Sequence, residues 1–540
     1  MKFARPFCIV VLPALLLLLG SSGLGCYYET NDDLAITQLL RGASAAAPVT
    51  DLHLYFHGIA LLLAWLYQVA PGWPWYGLLL YSLLYLTTVA AFAVLSKLWP
   101  QRVPTAWLPA GLTLFFLLAW LEHSLWFNYS RIPILLSGTG LLLAAQHARQ
   151  KPLVALGLLM VGLAWLVRPS AAGLGLLAAA PGLWWLGGRP GLRVLGMAIA
   201  LLAVSSALLS FAWTPQMAAY RTLDVLKSNC NDYQLYRPTP HTATDKLGVQ
   251  AVRHWMLGDS LLVNEALFQR AMRFDARYFL QREVPGKLQT LVSLLVRDYF
   301  PVLLGQAALF WLVGWRNKQL VFWLVQLAYG ALILGLGILL KLPPRLGLPL
   351  MDLWLLSNLG YVATAQQIRL PTHFLRVVAV GTALVVALYG YKTLHRVHVL
   401  RRERAAHEAY LAQVKRSVAG RFIVTTSLEA AYKSLSPFEI YSVSQQPVLS
   451  LVGWTTLDPA NAALRQQLTG TRDFAVALQR LAQRPDVVWL LTPSMARFLA
   501  YYLSARTAPK PLTWHFQAGT SFSADTLLPR LYQVDVKSMK

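Results

Sequence analysis

The sequence predicts a mainly α protein, a polytopic membrane helical bundle of about eleven spans with a small extracytoplasmic α/β domain at its C-terminal end. Three observations carry this reading. Of 540 residues, 56% are apolar or aromatic and 13% are charged, about half the ~25% charge of an ordinary soluble chain. The mean hydropathy is +0.48. The apolar residues come in runs of the length that crosses about 30 Å of hydrocarbon, and the cations sit between the runs. This excludes a disordered tail, a collagen and an ordinary soluble enzyme. Lys and Arg number 47 against 23 Asp and Glu, a net charge of +24. Placed between spans, such a surplus fits anionic lipid headgroups, not nucleic acid.

The apolar windows are 7–26, 74–96, 106–121, 131–146, 152–167, 170–187, 193–213, 290–314, 319–340, 346–364 and 374–391. Residues 53–70 are ambiguous, because His53 and His57 open the stretch and Pro71-Gly72-Trp73-Pro74 closes it. Cation placement decides. If 53–70 lies in the interface, the inside segments hold Lys2, Arg5, Lys97, Arg102, Arg149, Lys151, Arg189, Arg193, Arg316, Lys318, Arg369 and Arg376. The short outside segments hold only Arg41, Arg131, Arg168, Lys341 and Arg345. A crossing at 53–70 would scramble this pattern. The expectation is an inner (cytoplasmic) membrane protein with a cytoplasmic N-terminus, a first outer loop 27–73 containing an interfacial helix 53–70, and a long outer loop 214–288. A transmembrane module 1–391 then precedes an extracytoplasmic, periplasmic domain 392–540.

The first 26 residues also resemble a signal peptide, and Gly23-Leu24-Gly25-Cys26 hints at a cleavage site, although Gly23 stands where a large aliphatic residue is wanted. The tail opens with a basic helix, His395 to Lys415. Phe422-Ile423-Val424, Val448 to Val452 and Val487 to Leu491 then read as short buried strands, with helical patterns at 473–482 and 494–506. Alternation of the two suggests a small α/β domain. Cys26 and Cys230 both map outside, where a disulfide can persist; a bridge and two unrelated buried thiols are both compatible with the sequence. There is no CxxC, P-loop or GxSxG motif.

Polar residues are informative against so apolar a background. Tyr28-Glu29-Thr30-Asn31-Asp32-Asp33 concentrates carboxylates at a membrane exit. Asp32 or Asp33 would cap the following helix, or serve as a general base or metal ligand held at the membrane surface. Adjacent like charges beside a low-dielectric slab raise each other's pKa, which suits proton transfer.

This stretch, with Gly42, Asp51-Leu52-His53 and Trp73-Pro74-Trp75-Tyr76 downstream, resembles the membrane-integral glycosyltransferases of the C-type superfamily (GT-C), in a bacterial branch with an Asn-Asp-Asp first-loop motif. The resemblance covers roughly residues 1–391, and the tail matches no named module. It implies a GT-C-like bundle and transfer of a sugar from a polyprenyl-phosphate donor to an extracytoplasmic glycan, lipid or protein acceptor, with inversion. It also implies that Asp32 is the base and Asp33 its neighbour or a metal ligand. The chain has Asp-Asp where many members have Asp-Glu, which leaves the choice between the two open.

A phosphate leaving group needs cations. Lys341 and Arg345 in a short outer loop, and Arg297 and Arg168 at outer span ends, are candidates, with Arg131 closing the second loop. Glu122 could complete a divalent metal site (Mg or Mn) with Asp33. His53 and His57, one turn apart on one helix face, could bind a metal or contact substrate. For Lys341 and Arg345 the alternative is interfacial anchoring; for Arg297 it is a local ion pair or a snorkelling side chain; for the histidines it is an interfacial polar face. A non-enzymatic transporter or flippase would need polar residues deep in several spans or paired broken helices, and neither pattern is visible. An envelope assembly protein remains the other alternative.

Overall fold

The computed structural model describes residues 4–99, 103–314, 320–364, 372–426, 428–506 and 512–538. Lys2, Arg102, Arg316, Lys318 and Arg369, used above for orientation, lie outside the described residues. The chain is a multi-pass membrane bundle crowned at one end by an α/β domain. Among the described residues, seven helices are long and apolar enough to cross a membrane, or eight if a bent pair counts as one span. They include Phe7–Leu24, Trp75–Leu98, Thr105–Leu125, Leu320–Leu339 and Pro344–Thr364. Arg131–Gln146 and Lys151–Val167 are shorter apolar helices, and Arg131–Gln146 is buried along almost its whole length at the centre of the bundle.

Pro169–Phe211 runs for 43 residues but breaks at Gly188, where φ is 57° and ψ −139°. Only glycine adopts that conformation without strain. The chain reverses there, so the sequence-predicted spans 170–187 and 193–213 are two arms of one hairpin. A Cβ on Gly191 would meet the Leu183 carbonyl, which shows how closely the arms approach.

Two expectations change. The window 290–314 is not one straight span: Ala276–Arg297 and Phe300–Gly314 meet at 78°. The sequence supplies the reason, because Arg297-Asp298 cannot continue into hydrocarbon unpaired. Val284–Arg297 is amphipathic in pattern, with Lys287 and Leu291 on its buried face. Lys287 Nζ donates to the carbonyls of Tyr233 (2.5 Å) and Ile338 (3.0 Å), which lays this helix along the membrane-proximal end of the bundle. At 53–70 the helix covers only Ile59–Val69, 11 residues, about 16 Å at 1.5 Å per residue. His53 and Phe56 sit at positive φ before it begins, so His53 and His57 share no helix face.

Thr372–Ser417 is a continuous 46-residue helix, and the expected boundary at 391/392 falls inside it. It carries the chain from the bundle into the α/β domain. The domain's mixed sheet has the order Val448–Ser450, Phe422–Thr425, Val487–Leu491, Arg530–Ser538, Leu512–Ala518. The first three strands are parallel, and the last two form an antiparallel hairpin added at one edge. The predicted strands are all present; the hairpin is an addition.

The long loop is part of this domain. Leu257, Val263, Leu267 and Phe268 share one hydrophobic core with Val424, Leu449, Leu464 and Trp489. A polar bolt fastens the two segments: buried Asp259 accepts from the Tyr502 hydroxyl (2.9 Å) and from Arg506 Nε (3.0 Å). The thiols do not pair: Cys26 is buried and free, and free Cys230 lies 2.9 Å from the Met272 sulfur. Burial pushes both thiols up to about 12.

Removing one partner of a buried charged pair typically costs about 3–5 kcal/mol. Asp259→Ala is therefore expected to release the 214–288 segment from the tail. Limited proteolysis in detergent should cut within 214–288 at protease concentrations that leave the parent intact.

Candidate functional site

The first and second loops are joined before any site is built. Tyr27 and Tyr28 pair as a short parallel ladder with Trp126 and Phe127, and Glu29 N–H donates to the Phe127 carbonyl (3.1 Å). The helix that follows is Asp32–Leu40. Its N-cap, Asn31, makes no side-chain cap, so both aspartates sit in the first turn, where the helix dipole favours negative charge.

The two then part company. Asp33 is 0% exposed. It accepts hydrogen bonds from the Tyr76 hydroxyl (2.8 Å), the Tyr129 N–H (2.8 Å) and Asn128 Nδ2 (3.0 Å). Burial pushes its carboxyl well above the usual range; the Tyr76 and Tyr129 bonds oppose this, and Asp32 and Glu29 add to it. With no open oxygen, Asp33 is a strut and does not fit a metal. Glu122 does not fit one either: it takes two bonds from Arg396 Nη1 (2.7 and 2.9 Å) and one from the Tyr389 hydroxyl (3.1 Å). Among the described residues no three His, Cys, Asp or Glu side chains are grouped to hold a metal ion.

Asp32 is half-buried and faces a cavity of about 870 Å³ between the bundle and the α/β domain. It accepts a hydrogen bond from the Thr30 hydroxyl (3.3 Å) and makes no ion pair among the described residues. Arg168, Lys341 and Arg345 line the same cavity. Arg168 donates to Ser130 Oγ and lies over the rings of Tyr129 (5.0 Å) and Tyr55 (5.4 Å). Lys341 stands at a left-handed turn, φ 63°, that reverses the chain between two spans, and Arg345 follows one turn later. Neither makes an ion pair among the described residues. Two further cations, Lys227 and Lys433, also face the cavity. Lys227 is neutralised by Asp224 (2.9 Å) and Asp232 (3.6 Å). Glu29 reaches the cavity wall too, bound to Arg131 (2.7 Å). After these pairings, Asp32 faces four cations: Arg168, Lys341, Arg345 and Lys433. The wall towards the spans is aliphatic: Leu174, Leu336, Leu340, Leu342 and Leu346.

Besides Asp33 and Glu122, three further sequence candidates do not line this cavity. Arg297 is exposed and paired with Asp298 (2.9 Å), which also holds Lys392 (2.8 Å). His53 lies 3.3 Å from Asp51 and packs on Tyr220. Arg131 is buried: beyond Glu29 it reaches His123 Nδ1 (3.0 Å), and His123 Nε2 meets Asp352 (2.7 Å). Sequence reasoning missed Tyr55, Tyr129, Trp255, Trp454 and Lys433. Only their residue types pointed to them, because their meeting depends on the fold.

No family model matches the chain, and no curated protein does. Among solved structures it is similar to the crystal structure of ArnT from Cupriavidus metallidurans bound to undecaprenyl phosphate, with 12% identity, 97% of each chain covered and a TM-score of 0.45. A likeness of that grade carries no argument about chemistry.

The adjacent aspartates should separate in a stability measurement. Asp33→Ala leaves three buried donors unpaired, at about 1–3 kcal/mol each, and should lower the unfolding temperature in detergent markedly. Asp32→Ala, which removes one long hydrogen bond at a cavity wall, should leave it nearly unchanged.

Proposed function

We propose that this protein is an integral membrane glycosyltransferase of the cytoplasmic membrane that takes a sugar from a polyprenyl-phosphate donor and delivers it to an extracytoplasmic acceptor. One observation carries the reading: a single cavity joins an aliphatic wall supplied by the spans, cations that make no ion pair among the described residues and, in Asp32, a carboxylate that makes none either. An amphiphile with an anionic head at the membrane boundary matches the first two features. A carboxylate beside them that is not engaged in an ion pair suits a general base. The resemblance of the Tyr28 to Asp33 stretch to GT-C enzymes points the same way.

In the proposed step, the acceptor hydroxyl oxygen bonds to the anomeric carbon of the donor sugar. The bond from that carbon to the phosphate oxygen breaks, and its electron pair leaves with the polyprenyl phosphate. The hydroxyl proton passes to Asp32. Arg168, Lys341 and Arg345 neutralise the departing phosphate, and the two arginines offer it planar, paired donors. Attack from the face opposite the phosphate gives inversion. Asp33 holds the first loop in register and takes no proton. Arg297, paired at the bend, has no part in phosphate binding.

Removing a positioned general base typically costs 10²–10⁴-fold in rate. Asp32→Asn should lower sugar transfer by about that much at unchanged expression. Binding of a polyprenyl phosphate to protein in nanodiscs should weaken by about tenfold or more for Lys341→Ala and Arg345→Ala, as expected for lost hydrogen bonds to a charged group. Arg297→Ala should bind like the parent. Transfer at the parental rate by Asp32→Asn removes the base from the scheme; unchanged binding in both cation variants removes the donor.

A further inference from the structure

The cavity has two unlike ends. Its aliphatic lining towards the membrane comes from one group of spans, 169–187, 320–339 and 344–364. A polyprenyl chain would occupy that lane, and a second lipid would need another. The opposite end is built from the α/β domain and the long loop, and it is aromatic and polar. Trp255 and Trp454 both line it, half-buried, with Tyr55 between them and the bundle. The Tyr55 ring meets Trp454 edge-on (6.1 Å, 90°), and Lys227 Nζ lies 5.3 Å from the centroid of the Trp255 ring.

Two details mark this end as built and not incidental. Trp255 has φ 58°, an uncommon conformation for a bulky residue that costs of order 1–3 kcal/mol. It is held there by the Gly453 N–H, which donates to the Trp255 carbonyl (2.9 Å); Gly453 itself has φ 97°. Each tryptophan is thus fixed by the segment that carries the other. On the same cavity Thr426 is 1% exposed, and its hydroxyl has no hydrogen-bond partner among the described residues. A buried polar group without a partner is costly unless something supplies one.

We infer that this end is a saccharide-binding platform and that the acceptor is a glycan, taken up from the aqueous side on Trp255 and Trp454. The inference rests on the proposed transferase reading and specifies its acceptor class. Flat, rigid aromatic side chains offer a sugar ring's C–H face a large contact area at low entropic cost. Thr426 and Lys433 face the same space and supply a hydroxyl and an ammonium for the ring's oxygens. A lipid acceptor would find no second aliphatic lane here.

The test uses the full-length protein in nanodiscs on an array of bacterial glycans. The expected result is binding of a defined glycan set, lost at least tenfold in the Trp255→Ala/Trp454→Ala double variant and largely retained in the Trp255→Phe/Trp454→Phe variant. The Phe pair keeps aromatic faces, so it controls for misfolding, and circular dichroism of both variants is read alongside. Binding that survives in the Ala pair overturns the proposal, as does no glycan binding by the parent protein or equal loss in the Ala and Phe pairs. Binding of a polyprenyl phosphate to the parent is measured in parallel: its absence would sink the donor reading, whereas failure confined to the glycan arm sinks only this one.

Discussion

A buried carboxylate that is never exposed to solvent sets the geometry of the whole cavity. Asp33 gathers three donors from two separate stretches of chain: Tyr76 at the start of a span, and Asn128 and the Tyr129 backbone in the second loop. Successive residues on a helix point about 100° apart, following from 3.6 residues per turn. Once Asp33 is turned into the protein, Asp32 must turn away from that contact, and the space it meets is the cavity. The adjacent pair is therefore not two copies of one role. One carboxylate holds the loops in register so that the other is left free at a defined place.

The same division recurs among the cations. A charge deep in hydrocarbon costs about 2.5–3.5 kcal/mol on insertion scales, so those near the bundle are either paired or placed at turns. Arg396 and Lys392 on the long helix are consumed by Glu122 and Asp298, which pins that helix to the bundle and fixes the height at which the α/β domain sits. Lys341 and Arg345 sit on either side of the Pro343-Pro344 turn, where the chain reverses between spans. Their positions at that reversal, not any ion pair, bring them to the cavity.

The apolar windows were legible because hydrocarbon demands long uncharged runs, and over the described residues each is mainly helical, the window 290–314 with a sharp bend. The strands at 422–425, 448–450 and 487–491 were legible for a similar reason: they are short, β-branched and buried. The hairpin at 512–538 was not, because Thr513, His515, Gln517 and Gln533 dilute its pattern on a sheet edge that is partly exposed. The membership of residues 214–288 in the tail's core was hidden as well. Leu257 and Phe268 look like any loop hydrophobics until Leu464 and Trp489, some two hundred residues on, are brought against them. Within the site, Asp32, Arg168, Lys341 and Arg345 could be picked out as polar groups at span ends. The aromatic residues could not, since a membrane protein has Trp and Tyr at every interface.

Arg131 shows why residue type at a loop end is an incomplete guide. A guanidinium only donates, so the ring nitrogen it meets at 3.0 Å, Nδ1 of His123, must carry a lone pair. The proton of His123 is then on Nε2, directed at Asp352, and the ring sits neutral between an arginine and a carboxyl group. The result is a buried chain, Glu29 to Arg131 to His123 to Asp352, running from the cavity wall into the span Pro344–Thr364. At its cavity end Arg131 is spent on Glu29, one turn of chain before Asp32. In this arrangement it ties the rim of the cavity to the centre of the bundle. Among the described residues, Arg168, Lys341, Arg345 and Lys433 face the cavity without an ion pair, whereas Arg131 and Arg297 are each claimed by an acid.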